Sequence, residues 1–306
     1  MTAATPRTVE EYLDLLRAEL QGADRALVQD ALYDAEEHLR AELAQHPEET
    51  DETMLGRIVA SYGAPGEVAD AYRSNETRVQ AALRTPPPKP KHTTLGRFFG
   101  VYSDPRAYLG MAYMLLALAT GIFYFTFAVT GLSLSAGFAI LIIGIPFFLL
   151  FIGTTRVLAL AEGRIVETLL GTRMPRRPVH PGPPMGWMQR VLEMLKDPRT
   201  WGTLLYLLLM LPLGLFYFTF VIVGIVCSLA LTIAPIVVLL YHAGVISIDG
   251  TVESPHPALL PLVSILGIVL LTVTLHLSRG IGYLHGQLAK SLLVRAPRTA
   301  DEPAVA

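Results

Sequence analysis

Charge and cysteine are both scarce in this sequence. Of its 306 residues, 16% are Asp, Glu, Lys or Arg, and Cys227 is the one cysteine. Soluble globular proteins carry about 25% charged residues, so the composition excludes an ordinary soluble enzyme. A single cysteine excludes both an internal disulfide and a cysteine-based metal site. The first 80 residues contain no apolar core of the kind found in signal peptides, so we expect no cleaved leader.

The apolar residues lie in long runs. Three stretches contain no Asp, Glu, Lys or Arg: Ala107 to Thr155, Thr200 to Ile248, and Ser254 to Ser278. Each is longer than the roughly 18 apolar residues that mark a membrane-spanning helix. The sequence therefore predicts an all-α protein that crosses a membrane several times.

The charges that do occur divide the chain into two parts. Residues 1–80 carry 17 acids and 7 bases, whereas the remaining residues carry 9 acids and 17 bases. This division predicts a small soluble helical bundle over residues 1–80, followed by a membrane domain with basic flanks. The acidic part would repel phosphates, so direct binding to nucleic acid is not expected.

Capping residues mark the helices of the N-terminal domain. Thr8 precedes Glu11 by three residues, which is typical of a capping box, and Asp24 is placed to cap a second helix. Gly63 is expected to end a third helix in a left-handed conformation, and Pro65 to begin a fourth. Residues 81–94 include the run Thr-Pro-Pro-Pro-Lys-Pro-Lys and are predicted to form a stiff linker.

The motif Tyr62-Gly63-Ala64-Pro65-Gly66-Glu67-Val68-Ala69, followed by Tyr72, is preceded by Tyr12-Leu13 with Leu16. Over residues 8–75 this pattern resembles the bacterial HAAS domain, a helical domain associated with sensors. The resemblance implies a partner-docking turn formed by Tyr62, Gly63, Pro65 and Tyr72. A generic small helical domain is the alternative.

The membrane part contains an internal repeat. Asp104-Pro105-Arg106 returns 93 residues later as Asp197-Pro198-Arg199, and the aromatic run 121–127 returns as 214–220. At the ends of the two copies the offset is 123, so that Arg156 matches Arg279. The pattern predicts a duplicated two-helix unit, with residues 95–180 as the first copy and 181–295 as the second.

Positive residues set the predicted topology. All 17 Lys and Arg residues outside the N-terminal domain lie in 84–106, 156–199 and 279–298. Because Lys and Arg stay on the cytoplasmic side, both termini are expected to be cytoplasmic in the inner membrane of a bacterium. The predicted spans are about 107–130, 136–158, 201–224 and 258–279.

The second copy has an extra outer segment at residues 225–257. Its first part, 225–248, is apolar enough to be a prolongation of the third span, a re-entrant segment, an outer-leaflet helix or a fifth span. The alternation around Asp249-Gly250 favours a small extracytoplasmic loop or hairpin. Residues 296–306 are expected to be a disordered tail.

Four further motifs point to a second family. They are Gly144-Ile145-Pro146, Ala161-Glu162-Gly163-Arg164, Leu211-Pro212-Leu213-Gly214 and Leu284-His285-Gly286-Gln287-Leu288. Together with Asp-Pro-Arg, they resemble the sensor domain that precedes histidine kinase modules in many bacterial receptors. Only 13 residues follow Leu293, so the resemblance implies signalling through the N-terminal domain or through a separate chain.

No catalytic constellation, metal-ligand spacing or cofactor motif is found, and we expect neither an enzyme nor a bound cofactor or metal. The titratable residues of the outer segment are candidates for sensing a cation, a proton or a small ligand: His242, Asp249, Glu253 and His256. An ordinary solvated loop is the alternative. His276 and His285, near the end of the last helix, are expected to meet lipid headgroups or the C-terminal dipole of that helix, and a proton relay is the alternative.

These features favour a membrane sensor or signalling adaptor. Its expected partners are a cytoplasmic regulatory protein (a transcription regulator or a kinase), membrane lipid and a second copy of the chain. A transporter or channel subunit built from a parallel repeat is the alternative. The predicted spans contain no Asp, Glu, Lys or Arg, which transport pathways usually require.

Overall fold

A computed structural model describes residues 6–45, 51–83, 93–138, 144–177, 187–247 and 256–294. Within these ranges the regular structure is helical and contains no strand. The prediction of an all-α chain with several apolar helices is therefore confirmed. Residues 81–83 and Thr94 of the predicted linker 81–94 are helical, whereas residues 84–92, the centre of the expected hairpin and the C-terminal tail lie outside the described residues.

The N-terminal part consists of four helices: α1 (Val9–Glu19), α2 (Arg25–Gln45), α3 (Asp51–Tyr62) and α4 (Pro65–Leu83). Their ends follow from capping chemistry. The Glu11 backbone N–H donates to the Thr8 hydroxyl at 3.1 Å, and the Ala26 N–H donates to the Asp24 carboxylate at 2.9 Å. The capping prediction is confirmed at both helices.

One apolar core joins these four helices. Its largest side chain is that of Tyr12, which is fully buried. The other buried members recur at helical spacing: Val9, Leu16, Leu20, Val28, Ala31, Ala35, Leu39, Ile58, Val68 and Ala69. Burying a Leu or Val side chain stabilises a fold by about 1.5–3 kcal/mol, so this cluster can hold the helices together.

Four longer helices have the length and composition needed to cross a membrane: α6 (Pro105–Phe138), α7 (Gly144–Leu170), α9 (Pro198–His242) and α10 (Leu260–Leu293). Two short helices, α5 (Thr94–Phe98) and α8 (Trp187–Lys196), precede α6 and α9. A hydrocarbon core needs about 20 helical residues, so all four helices are long enough to extend beyond it.

Two span boundaries differ from the prediction. Helix α6 continues to Phe138, so residues 132–135 are helical and not a loop, and α7 begins at Gly144 instead of 136. Its third residue is Pro146, and the first turn is where a helix tolerates proline. The apolar residues that follow position 131 contain no proline, so nothing ends α6 there.

Helix α9 settles the status of residues 225–242. It runs without interruption for 45 residues, with Pro212 and Pro235 inside it, and at 1.5 Å per residue it is about 68 Å long. Of the alternatives considered for this segment, the prolongation of the third span is therefore the one observed. A fifth separate span is absent from the described residues.

The chain forms two compact units. The first contains residues 1–84, 131–206 and 287–306, and the second contains residues 85–130 and 207–286. In the second unit, α6 and α9 meet at two glycines. A Cβ at Gly121 would clash with the Met210 carbonyl, and one at Gly214 would clash with the Ala117 carbonyl. Only glycine permits this close approach of two helix backbones.

Candidate functional site

The outer segment offers no assembled site among its described residues. His242 is exposed at the end of α9, and its Nδ1–H donates to the Val238 carbonyl at 2.8 Å. His256 is also exposed, and its Nδ1 accepts from the Ala258 backbone N–H at 3.3 Å. Asp249 and Glu253 lie outside the described residues. The four-residue sensing site thus remains a prediction.

The predicted docking turn is part of the core of the first four helices. Gly63 has φ +114°, a conformation that L side chains rarely adopt, and Pro65 is the first residue of α4. The Tyr12 hydroxyl donates to the Gly63 carbonyl at 3.0 Å, which fixes the turn to α1. The expected turn geometry is confirmed, whereas docking of a partner there stays a prediction.

Two tyrosines flank this turn. The Tyr62 ring stacks on His38 with the ring centroids 4.4 Å apart, and the Tyr72 hydroxyl donates to Asp34 at 2.9 Å. Burial raises the pKa of both phenols above the ordinary value, and the nearby Asp34 carboxylate raises it further. Both side chains therefore stay neutral at physiological pH and act as packing and hydrogen-bonding groups.

A buried ionic cluster lies at the end of α7, in the first unit. Arg173 follows α7 by three residues and contacts acids from three helices. Its guanidinium lies 3.0 Å from Asp30 of α2, 3.1 Å from Glu76 of α4 and 3.2 Å from Glu167 of α7. The four residues are each at most 9% exposed. We call this group the Arg173 cluster.

The segment that follows Arg173 also lies on α2. The Asp30 carboxylate accepts hydrogen bonds from the backbone N–H groups of Arg176, at 2.7 Å, and Arg177, at 2.9 Å. The Gln29 side chain donates to the Arg177 carbonyl at 2.7 Å, so the segment is held by its backbone as well as by charge. The contact between this segment and α2 therefore consists of backbone hydrogen bonds in addition to the ion pair.

The electrostatic environment of the Arg173 cluster favours the charged form of the arginine. Burial lowers the pKa of Arg173, but the carboxylates of Glu76, Asp30 and Glu167 more than reverse this, so that its pKa is raised and the side chain stays charged. Burial raises the pKa of Asp30, and the hydrogen bonds from residues 176 and 177 and the charge of Arg173 only partly oppose the increase. Arg173 is thus the cation that contacts all three acids, and Glu167 also pairs with Arg164 at 3.2 Å and with Arg176 at 3.5 Å.

A second set of polar contacts lies among the long helices. The Tyr113 hydroxyl is 2.6 Å from Nε2 of His285, and the Tyr217 hydroxyl is 3.1 Å from its Nδ1. His285 is only 1% exposed. The expectation that His285 meets lipid headgroups is therefore wrong, because its ring is used between two tyrosines inside the second unit. His276 instead donates from Nε2 to the Phe98 carbonyl, at 2.9 Å.

Several contacts occur in pairs related by the sequence offsets of 93 and 123. The Tyr206 hydroxyl donates to Glu162 at 2.9 Å in the first unit. The same offsets relate this pair to Tyr113 and His285: 206 is 113 plus 93, and 162 is 285 minus 123. Positions related by these two offsets thus make corresponding contacts.

Ion pairs at the starts of α6 and α9 follow the same rule. Asp104 pairs with Arg279 at 2.9 Å, and Asp197 pairs with Arg156 at 3.7 Å. Each aspartate also caps its own helix by accepting the N–H two residues later, at 3.1 Å and 3.0 Å. The predicted caps are confirmed, and their pairing with the arginines is an addition that the sequence analysis missed.

The Arg173 cluster was also missed. Its members lie at positions 30, 76, 167 and 173, and no local spacing connects them. In the sequence, the basic residues within 173–177 indicate only which side of the membrane this segment occupies. The one available signal was Asp30, a charged residue that lies among the apolar positions of α2. Among the described residues, no group of His, Cys, Asp or Glu is placed to hold a metal ion.

Four apolar helices of spanning length define an α-helical membrane protein. The family model described as "Putative sensor" matches residues 113–293, which is more than half of the chain. The chain therefore belongs to this sensor family, and the resemblance inferred from the sequence motifs is confirmed for that part. No curated protein and no solved structure matches the chain. The HAAS resemblance of residues 8–75 stays a prediction.

Proposed function

We propose that this protein is a non-enzymatic membrane sensor that relays the state of the bilayer or envelope to a cytoplasmic regulator. The first four helices, residues 6–83, are the output domain in this proposal. Membership of the sensor family supports the sensing role. The partner would be a transcription regulator or a kinase, recognised by the acidic, HAAS-like domain at Tyr62, Gly63, Pro65 and Tyr72.

The observation that carries the proposal is the Arg173 cluster. Glu167 lies in the last turn of α7, which is a candidate span, whereas Asp30 and Glu76 belong to α2 and α4. Arg173 forms ion pairs with all three acids. A rotation or shift of α7 in the bilayer would therefore change the position of the output helices. Packed polar networks of this kind are a physical route by which two elements bias one another.

The cluster also supports the predicted topology. Because Arg173 contacts α2 and α4, the output helices and the 171–177 segment share one side of the membrane. The positive residues near that segment favour the cytoplasm of a bacterial cell. In a Cys227→Ser background, a membrane-impermeant thiol reagent added from outside should label a cysteine at Asp249 and not one at Asn75. Labelling at 75 from outside would contradict this topology.

The paired contacts support a duplicated origin for the membrane domain. Tyr113 with His285 and Tyr206 with Glu162 occupy equivalent positions of the two copies, as do the two aspartate–arginine ion pairs. In this proposal residues 95–180 and 181–295 are copies of one two-helix unit. Their polar sites have diverged, since the first copy carries Glu162 where the second carries His285.

Relay can be tested without knowing the regulator. The full chain is placed in nanodiscs of phosphatidylcholine with 14-carbon or 18-carbon acyl chains, and hydrogen–deuterium exchange is measured in α2 and α4. We expect the exchange rates of these helices to depend on bilayer thickness in the wild type. In Arg173→Met the dependence should be much weaker, because the ionic contact of α7 with α2 and α4 is lost and only the hydrogen bonds of residues 176 and 177 to α2 remain.

A matched control is Arg164→Gln. Arg164 contacts the same Glu167 carboxylate at 3.2 Å, but its side chain is 50% exposed, so removing it should leave the thickness dependence intact. If exchange in α2 and α4 ignores bilayer thickness in the wild type as well, the relay proposal fails. If Arg173→Met still responds as the wild type does, the route through the Arg173 cluster is wrong.

Partner binding is tested by formaldehyde crosslinking in the cell that makes this protein, followed by pull-down through an affinity tag at the C-terminus of the chain. We expect a cytoplasmic protein to be crosslinked, and to be lost when residues 1–80 are deleted. Recovery of the same protein from the deletion variant would contradict the adaptor role.

A transporter remains the second candidate, because one observation favours it. Glu162 and His285 place titratable groups, both nearly fully buried, on helices long enough to span the membrane. Transport pathways use such groups. Proton or ion flux in proteoliposomes that is lost in His285→Gln would favour this function over the sensor.

A further inference from the structure

An open cleft of about 530 Å³ lies between α5 and α10 in the second unit. Its walls combine cationic and apolar groups: Arg97 and Phe98 of α5, with Val273, His276, Leu277 and Arg279 of α10. The volume is within the range of about 300–1,000 Å³ that is usual for small-molecule sites. The cleft thus has the size and the mixed lining of a ligand site.

The cleft is held open by fixed contacts. The His276 Nε2–H donates to the Phe98 carbonyl at 2.9 Å, and the two rings are stacked with centroids 5.7 Å apart. Farther along the same segment, the Tyr102 hydroxyl lies 3.1 Å from that of Thr272. These bonds fix α5 along α10, so that Arg97 faces the same cleft as Arg279 without any rearrangement.

Charge in the cleft is positive. Arg97 is exposed, and no ion-pair partner for it occurs among the described residues. One guanidinium nitrogen of Arg279 lies 2.9 Å from the Asp104 carboxylate, and the Arg279 side chain remains 50% exposed. The two arginines therefore exceed the one acid nearby, Asp104, and the cleft favours an anion.

The apolar surroundings favour a lipid over a soluble anion. Val273 and Leu277 are 36% and 48% exposed and continue along the apolar surface of α10, a candidate span. On α5, Leu95 is 71% exposed, as is expected for a short helix that lies on a membrane surface. A ligand in the cleft would thus contact cations at one end and exposed hydrocarbon at the other.

We propose that this cleft binds an anionic phospholipid, with the phosphate between Arg97 and Arg279 and an acyl chain along Val273 and Leu277. Basic pockets beside membrane helices on the cytoplasmic side are suited to such headgroups. The proposal deepens the proposed function by naming a ligand class, and it rests on that function only for its role in sensing. Lipid binding and relay are measured separately, so either can fail alone.

The first copy of the repeat supplies a matched control. Arg156 is the equivalent of Arg279 and also pairs with an aspartate, Asp197. At the position equivalent to His276, however, α7 has Gly153, which has no side chain to bind α8, the short helix equivalent to α5. We therefore expect a lipid site between α5 and α10 and none at the equivalent place beside Arg156 of α7.

The test uses native mass spectrometry of the full chain in a neutral detergent. Phosphatidylglycerol and phosphatidylcholine with the same acyl chains are titrated separately, and glycerol 3-phosphate is added as a soluble competitor. We expect phosphatidylglycerol to bind at least about fivefold more tightly than phosphatidylcholine, the effect of one cation near an anionic headgroup. Arg97→Gln should weaken phosphatidylglycerol binding about fivefold, and Arg156→Gln should leave it unchanged.

Arg97 is the decisive position, because it is exposed and its loss disturbs no ion pair among the described residues. Equal affinities for the two lipids would overturn the proposal, as would unchanged binding in Arg97→Gln. An equal loss in Arg156→Gln would show a diffuse charge effect and no site. Displacement of the lipid by glycerol 3-phosphate at equal concentration would assign the cleft to a soluble phosphate compound instead.

Discussion

Removing the cation of the Arg173 cluster is the sharpest perturbation available in the first unit. In Arg173→Met the side chain keeps most of its length, but Asp30, Glu76 and Glu167 lose the guanidinium that lies 3.0–3.2 Å from each of them. Methionine cannot donate to these carboxylates. Three acids that are at most 7% exposed are then left without this counterion.

The size of the effect follows from burial. Breaking a buried ion pair by removing one partner costs about 3–5 kcal/mol, because the remaining charge stays desolvated. A pair at the surface is worth only about 0–1 kcal/mol. Stabilities of whole domains are about 5–15 kcal/mol, so the loss is a large part of what holds α2 and α4 against the end of α7.

Hydrogen–deuterium exchange of the full chain in nanodiscs measures this loss. If α2 and α4 exchange through opening of this contact, about 3–5 kcal/mol corresponds to exchange that is roughly 100- to 4,000-fold faster. Adding Asp30→Asn, Glu76→Gln and Glu167→Gln to Arg173→Met should recover much of the protection, because no uncompensated buried charge remains.

The exposed Arg164 provides the comparison. Arg164→Gln removes a different cation from the same Glu167 and should change exchange by less than about sixfold. The reasoning is refuted if α2 and α4 exchange no faster in Arg173→Met than in Arg164→Gln. It is also refuted if neutralising the three acids in the Arg173→Met background makes exchange faster still.

Two glycine substitutions test the packing. Gly63→Val should destabilise the first four helices by at least about 1–2 kcal/mol, because φ is +114° and the new Cβ would lie 3.3 Å from Val68. Gly56 lies in a helix with free space around it, so Gly56→Ala should be neutral or stabilising. Exchange in α3 and α4 measures both, and equal protection in the two variants would contradict the strained turn. Gly121→Ala should lower the melting temperature of the full chain in detergent, with a cost of about 1–3 kcal/mol from the clash with a backbone carbonyl, whereas Gly137→Ala meets no atom within 4 Å. Equal melting temperatures would show that α6 and α9 do not approach so closely.

Local signals in the sequence were sufficient for the helix ends of the N-terminal part and for the existence of the long apolar helices. Asp24 and Asp104 cap the helices that follow them, and Gly63 takes the positive φ expected of it. Each of these features depends on residues within three or four positions of one another. Such neighbours are fixed by the chain itself, whatever the rest of the molecule does.

Helix lengths were less well determined. The prediction ended the third span near residue 224, but α9 continues to His242 through Pro235. A proline in an apolar helix leaves backbone groups that neighbouring residues can satisfy, so its presence alone does not fix a boundary. Likewise α6 passes the expected loop at 132–135, because serine and glycine in an apolar run do not stop a helix.

The sequence by itself determined the apolar periodicity, the caps and the asymmetry of charge, and through them the class of protein. Only the tertiary structure brought Arg173 to Asp30 and Glu76, and His285 to Tyr113 and Tyr217. These groups are separated by 68 to 172 positions along the chain. Contacts over such distances depend on how whole helices pack, and no spacing rule within one helix encodes that packing.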